Sequence, residues 1–316
     1  MRFKKFGLLF LAFAFIFTGM TARGEDKLLL RLNLEKGKTY RVTITAETRA
    51  IQEVLGNKQI INRDLSMTFE YFIQDAAANG AYTVKTTYAA IKYKQDSPLG
   101  IIEYDSSVSQ KDLPLAMRGL AALVGQSLTI KMTPRGKILN IQGLDTIFNR
   151  MAETLGTDVD GSATVENLQE EYGEEALQEM LENSMGFYPE NPVGTGESWP
   201  SRGVVDKGFP MIIDSIFTVK ERRDGTVYLG AVSTITPNPD APSVRMGPLS
   251  FEYKLAGKQE GTLEVDESTG LIRRGKYIQS VSGDIQFHNS PMVPDGRTFP
   301  VSVNGEITVE SAVLNI

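Results

Sequence analysis

The chain has 316 residues, 33 Lys and Arg against 39 Asp and Glu, a single histidine and no cysteine. Without a thiol there are no disulfides, no zinc–thiolate or iron–sulfur sites and no cysteine to carry a lipid. The acidic balance argues against nucleic acid and anionic membrane surfaces as partners, because both need a cationic face.

The first residues read as an export signal. Arg2, Lys4 and Lys5 form a basic head, Phe6 to Phe17 is an almost unbroken apolar run, and Ala22-Arg23-Gly24 offers small residues where a signal peptidase cuts. Cleavage after Gly24 leaves 29 basic residues against 39 acidic ones, a formal net charge of −10. No later segment adds stop-transfer character, so no transmembrane span is expected after cleavage. The expectation is an exported protein, periplasmic or extracellular, without a lipid anchor.

From Leu28 onward the dominant period is two. Leu28, Leu30, Leu32 and Leu34 alternate with Leu29, Arg31 and Asn33, and after a turn at Glu35 to Lys38 the same pattern resumes with Tyr40, Val42 and Ile44. Both stretches are predicted as strands with one dry face. Arg63 to Ile73 and Tyr82 to Tyr93 form a long hairpin around Asn79-Gly80, and Ile101 to Tyr104, Leu128 to Met132 and Ile138 to Ile141 follow as shorter strands. Between them, Leu113 to Val124 has apolar residues at near-helical spacing and is predicted as a core-packed crossover helix. Its alternative reading is a lid over a ligand.

Residues 144 to 182 are predicted helical. Asp145 caps a first helix carrying Ile147, Phe148, Met151 and Leu155, and Ser162 or Thr164 caps a second with Val165, Leu168, Tyr172, Ala176, Met180 and Leu181 inward. Glu166, Glu170, Glu171, Glu174, Glu175, Glu179 and Glu182 crowd that second helix. Like charges so spaced oppose an isolated helix, so its apolar stripe must be packed.

The strands then begin again. Met211 to Glu221, Thr226 to Thr236, Leu249 to Leu255, Gly261 to Asp266, Leu271 to Ser280 and Gly305 to Val313 are predicted, and their landmarks repeat those of the first half. Gly37-Lys38-Thr39-Tyr40 is echoed by Gly196-Glu197-Ser198-Trp199, and Asn79-Gly80 by Asp224-Gly225. Pro98-Leu99 with Glu103-Tyr104 returns as Pro248-Leu249 with Glu252-Tyr253, and Pro134-Arg135-Gly136 as Ser268-Thr269-Gly270. Tyr40 and Trp199 read as matched rings that plug the end of a curved sheet. The predicted fold is mainly β, two related, curved antiparallel sheets of half-barrel type with a helical insert between them. Its divisions are a signal peptide at 1–24, a first β unit at 25–143 containing the short apolar helix 113–124, an acidic helical insert at 144–187 and a second β unit at 188–316.

Chemistry is harder to place. His288 is alone in a predicted loop and no Gly-x-Ser-x-Gly elbow exists, since Gly196-Glu197-Ser198-Trp199-Pro200 fails at its last position. Asp158-Val159-Asp160-Gly161 resembles a piece of a calcium loop, but Gly156 and Asn167 fall where carboxylates are needed, which favours an acidic turn. Glu103 and Glu252 occupy matched places in the two copies and are the only carboxylates the repeat singles out. No catalytic residue, cofactor or metal is assigned. Leu115, Leu120, Leu123, Tyr82 and Tyr88 are the candidates for contact with an apolar small molecule or lipid.

The matched openings and the Pro-Leu…Glu-Tyr strands, together with Leu30 to Tyr40, Met67 to Tyr71, Leu128 to Gly143 and Pro189 to Trp199, make the chain resemble an uncharacterised family of secreted bacterial β-rich proteins, a domain of unknown function. A looser similarity is to half-barrel envelope proteins that carry lipoproteins or lipids in a curved sheet plugged by short helices. Export, the missing catalytic motifs and the excess of inward apolar positions together point to a non-enzymatic extracytoplasmic protein with a groove for a hydrophobic ligand. Two alternatives stand beside it: an interaction protein docking a protein partner through the acidic insert, and a carboxylate-dependent hydrolase of envelope polymers.

Overall fold

Period-two alternation is realised as antiparallel ladders throughout. The computed structural model describes residues 27–54, 56–109, 113–155, 169, 173–206, 210–246, 249–289, 293 and 296–314. The predicted signal peptide, the Asp158-Val159-Asp160-Gly161 turn, the caps at Ser162 or Thr164 and the stretch from Glu166 to Leu168 lie outside these residues, as do Glu170, Glu171 and Tyr172.

In chain order the elements are β1 (Thr39–Val54), β2 (Asn57–Ala76), β3 (Tyr82–Ser97), β4 (Gly100–Asp105), α1 (Leu115–Leu123), β5 (Ser127–Met132), β6 (Ile138–Gln142), α2 (Leu144–Leu155) and α3 (Glu174–Ser184). The second half follows with β7 (Ser198–Val205), β8 (Met211–Arg223), β9 (Thr226–Pro237), β10 (Val244–Met246), β11 (Leu249–Asp266), β12 (Ile272–Phe287) and β13 (Arg297–Leu314).

The strands make one 13-stranded sheet in the order β6-β5-β3-β2-β1-β13-β12-β11-β9-β8-β7, with β4 attached to β3 and β10 to β11. The duplication is visible in that order. In chain order β1-β2-β3-β5-β6 and β7-β8-β9-β11-β12 are the same meander, the first running from the centre of the sheet to one edge and the second from the other edge to the centre, and β13 is the extra strand that joins them. The two predicted sheets are therefore the two halves of a single one, fused because β13 pairs with β1 on one side and β12 on the other.

The repeat extends to individual hydrogen bonds. Gly37 N–H donates to Ile73 O (2.8 Å) and Ile73 N–H to Lys38 O (2.9 Å). In the second copy Gly196 N–H donates to Val219 O (2.8 Å) and Val219 N–H to Glu197 O (3.0 Å). Each turn delivers a buried ring to the strand it opens: Tyr40, whose hydroxyl accepts from Glu35 N–H, and Trp199, whose indole N–H donates to Phe187 O (3.0 Å). A buried indole without an acceptor would forfeit a hydrogen bond, so the carbonyl of Phe187 fixes where the ring sits.

At this end of the molecule the sheet curls until its two halves share a core. Ile73, Val84, Ile130 and Ile141 from the first half belong to the same buried cluster as Val219, Leu229, Leu263 and Val265 from the second. Residues 28–34 pass through this junction. Their alternation is as expected, with Leu30, Leu32 and Leu34 buried, but they form no ladder: a single bridge joins Leu28 to Val193. Instead Leu32 N–H donates to Pro134 O and Asn33 N–H to Thr269 O, both at 2.9 Å. The segment crosses the strand ends and ties the β5–β6 turn to the β11–β12 turn. A period of two reports that a segment has two faces; it does not report what satisfies its backbone.

The outer strands β6 and β7 would be left with unpaired backbone, the usual liability of a sheet edge. Helix α3 covers both. Its Glu182 accepts from Ile138 N–H (2.9 Å) and its Glu174 from Ile141 N–H (3.4 Å) on β6. On the β7 side Glu179 accepts from Asp206 N–H (3.0 Å) and Asn183 donates to Val204 O (3.0 Å). The acidic helix is thus a strap whose carboxylates take the place of a missing strand.

Candidate functional site

The two halves share a meander but not the filling of their concave faces. In the first, α1 packs Met117, Leu120 and Leu123 onto Ile91, Tyr104, Leu65 and Met67, so the hollow is occupied by the crossover helix. Leu120 and Leu123, two of the predicted ligand contacts, belong to this plug, while Leu115 opens α1. Tyr82 is buried at the closed end, where its hydroxyl donates to Leu32 O (3.1 Å) and accepts from Leu34 N–H (3.2 Å). Tyr88 is half-buried with its ring centroid 5.2 Å from that of Phe69. The structure places these residues in the packed half, as wall and plug.

In the second half α3 reaches only the β7 edge, no helix among the described residues fills the concave face as α1 does in the first, and a cavity of about 1540 Å³ remains. Its apolar floor comes from the inward positions of four strands: Ile44 on β1, Ile213 and Phe217 on β8, Tyr277 on β12, and Ile307 and Val309 on β13. Ile44, Ile213, Tyr277, Ile307 and Val309 are only half-buried, whereas Val219, Leu229, Leu263 and Val265 at the closed end are almost fully buried. Apolar side chains that face a void rather than each other forfeit contact that a ligand would restore. Toward the open end the wall continues as an aromatic group, Phe251, Tyr253, Phe287 and Phe299, with neighbouring centroids 5.1 to 5.5 Å apart.

The rim is polar but internally neutralised. Lys27 pairs with Glu197, Arg135 with Glu190 (3.3 Å) and Arg202 with Asp214 (3.3 Å), and α3 lines one side. Among the lining residues on β1, β8, β9, β11, β12 and β13, Tyr277 alone is titratable. Burial pushes its phenol up to about 12, so the floor carries no charge over the ordinary pH range.

One row interrupts the apolar floor. Following the pairing register inward from the edge, Ser201 on β7 faces Ser215 on β8, which faces Ser233 on β9, then Gln259 on β11 and Gln279 on β12. The row continues through Gly305 and Thr48 to Arg63 and Gln95 in the first half. Ser215 and Ser233 are buried and hydrogen-bonded to each other at 2.8 Å. Immediately on one side lie Trp199, Phe217, Ala231, Gly261, Tyr277 and Ile307; on the other, Gly203, Ile213, Ile235, Gly257, Val281 and Val303.

The remaining candidates fall elsewhere. Glu103 on β4 pairs with Lys94 (2.8 Å), and Glu252 on β11 contacts His288 Nε2 (3.1 Å). Four strands, β2, β1, β13 and β12, separate β3, which carries β4, from β11 in the sheet, so the repeat does not bring these acids together. His288 is hydrogen-bonded, with Ser250 Oγ 3.4 Å from its Nδ1. Among the described residues no cluster of His, Asp and Glu is arranged to hold a metal ion, and no helix is long and apolar enough to cross a membrane.

With this geometry in hand, comparison with known proteins places the chain. The profile of a family of unknown function, DUF6263, matches residues 79–272, more than half of the sequence. The chain belongs to that family. No curated protein matches it. Among solved structures, it is similar to one addressing lipid–protein interactions in lipovitellin, at 13% identity and a TM-score of 0.46. That alignment covers 89% of this chain and 26% of the other, so the DUF6263 chain spans about a quarter of the lipovitellin length. It is also similar to an outer membrane channel from Pseudomonas putida F1, at 7% identity and a TM-score of 0.22, over 89% of this chain and 97% of that one.

Proposed function

We propose that this protein is a non-enzymatic, exported carrier or receptor that holds a hydrophobic, lipid-like molecule against the concave face of its second β repeat. The observation that carries the reading is the contrast between the halves: one hollow is plugged by the protein's own α1, and the other leaves half-buried apolar side chains around about 1540 Å³. That volume exceeds the roughly 300 to 1,000 Å³ usual for drug-sized ligands, in keeping with a longer chain molecule. An uncharged floor supports binding over acid–base chemistry, and the basic head and apolar run before Gly24 support export. Docking of a cationic partner by the acidic insert finds less support, because Glu174, Glu179 and Glu182 are engaged on the sheet edges.

Binding of the neutral fluorophore N-phenyl-1-naphthylamine, with organic extraction and mass spectrometry of the purified protein, tests this. Saturable fluorescence enhancement that is lost in an Ile307→Glu variant is expected. A wild-type protein that neither enhances the fluorophore nor yields an extractable apolar compound would refute it.

A further inference from the structure

A cavity meant for bare hydrocarbon has no use for a polar stripe through its middle, since every hydroxyl or amide there must be desolvated when the ligand arrives. Ser201, Ser215, Ser233 and Gln259 all line the cavity, and Gln279 continues their row on the next strand. These are neutral groups that offer both donors and acceptors. The Ser215–Ser233 hydrogen bond occupies one proton of the two hydroxyls and leaves the other free to donate.

The row also has length on either side. From Gln279 to the aromatic group at Phe287 is about 27 Å of strand at roughly 3.4 Å per residue, with Val281 and Ile285 facing inward between them. In the other direction Tyr277, Ile307, Phe217 and Val309 lead to the closed core. Along the row the first charged side chain is Arg63, beyond β13 and β1, and its guanidinium is hydrogen-bonded to Gln95 (3.0 Å).

Resting on the lipid-holding reading above, we infer that the ligand is a lipid whose apolar segments flank an uncharged hydrogen-bonding linkage, of the acyl-ester class, and that the Ser201-Ser215-Ser233-Gln259-Gln279 row receives that linkage. An ester carbonyl accepts from the Gln259 amide or the free serine proton while its chains run along the strands to either side. A free fatty acid would bring its carboxylate to a row whose first cation in register is Arg63, or else leave the row for the cations at the rim. A hydrocarbon would offer no partner to the Gln259 amide or to the remaining serine proton.

The test is displacement of N-phenyl-1-naphthylamine by dioleoylglycerol, oleate and hexadecane, on wild type, on Gln259→Leu and on the double variant Ser215→Ala/Ser233→Ala. Dioleoylglycerol should compete at about tenfold lower concentration than hexadecane or oleate on wild type, the size expected for one or two net hydrogen bonds. Both variants should lose that preference, the three competitors being compared on each variant against its own affinity for the fluorophore, with melting temperatures recording that each is folded. Equal competition by ester and hydrocarbon on wild type, stronger competition by oleate, or a preference that survives in both variants would overturn the inference and leave the apolar site standing. Failure of the fluorophore to bind wild type removes the lipid-holding reading itself, and the inference with it.

Discussion

Gly37 and Gly270 have the same backbone and different surroundings, which makes them a matched pair. Their φ values are +83° and +73°, in the left-handed region where a Cβ is unfavourable. Around Gly37 a Cβ would meet nothing within 4 Å; at Gly270 it would lie 2.0 Å from Arg31 O and 2.9 Å from Leu32 N. Gly37→Ala should therefore cost only the conformational strain, about 1 to 2 kcal/mol. Gly270→Ala adds displacement of residues 28–34, which carry the buried Leu30, Leu32 and Leu34 and the bond from Asn33 to Thr269 O. Each leucine side chain contributes about 1.5 to 3 kcal/mol on burial, so loss of one brings the total to about 2.5 to 5 kcal/mol and loss of two to about 4 to 8 kcal/mol. Urea unfolding followed by circular dichroism measures both. Limited proteolysis should cut within residues 27–38 in Gly270→Ala and not in Gly37→Ala. If the two variants lie within 1 kcal/mol of each other and resist protease alike, the crossing segment does not seal the closed end as described.

Removing the strap's carboxylates should act locally. Glu182→Ala is expected to speed amide exchange at Ile138, and Glu179→Ala at Asp206, each with about 1 kcal/mol lost, while the Val219 amide at the far turn keeps its wild-type rate. Acid stability follows from Asp266. Burial pushes its carboxyl up, but donors from Ser268, Thr269 and Arg273 outweigh that and hold it down to about 2. A depressed folded pKa contributes stability that is complete above the unfolded value near 4 and is lost as pH falls toward 2. The urea midpoint should decline across that window, and Asp266→Asn, less stable at neutral pH, should show a shallower decline.

Much of the architecture was legible because alternation and matched landmarks are local signals. Tyr40 and Trp199 announced equivalent strand openings, and the structure gives both the same pair of turn hydrogen bonds. The cavity was not legible, for a related reason. Residues 256–260 read as a break between strands, since Ala256, Gly257, Lys258, Gln259 and Glu260 show no apolar alternation; they are the middle of β11, where Gln259 borders the cavity and Gly257 is kept small by β12, a Cβ there lying 2.0 Å from Ser280 O. Apolar richness pointed to Leu120, Leu123 and Tyr82, which belong to the half that is full. A hollow is lined by what fails to fill it, and Ser201, Ser215, Ser233 and Gln259 have no strong hydrophobic signature. The strap's glutamates were visible, but their acceptance of backbone N–H groups depends on two strand edges brought together only by the fold.

The position of β13 bears on how the molecule is assembled. Strand β1 lies bonded between β2 and β13, so the partner for its second side is synthesised some two hundred and forty residues after it. The entropy of closing so long a loop grows only logarithmically, by about 0.6 kcal/mol per doubling, but pairings this distant in sequence slow the search. Until that strand emerges, the first meander waits with a sixteen-residue flank of unsatisfied amides and carbonyls, open to any stray extended peptide. Chaperone protection during synthesis would matter most for this interval.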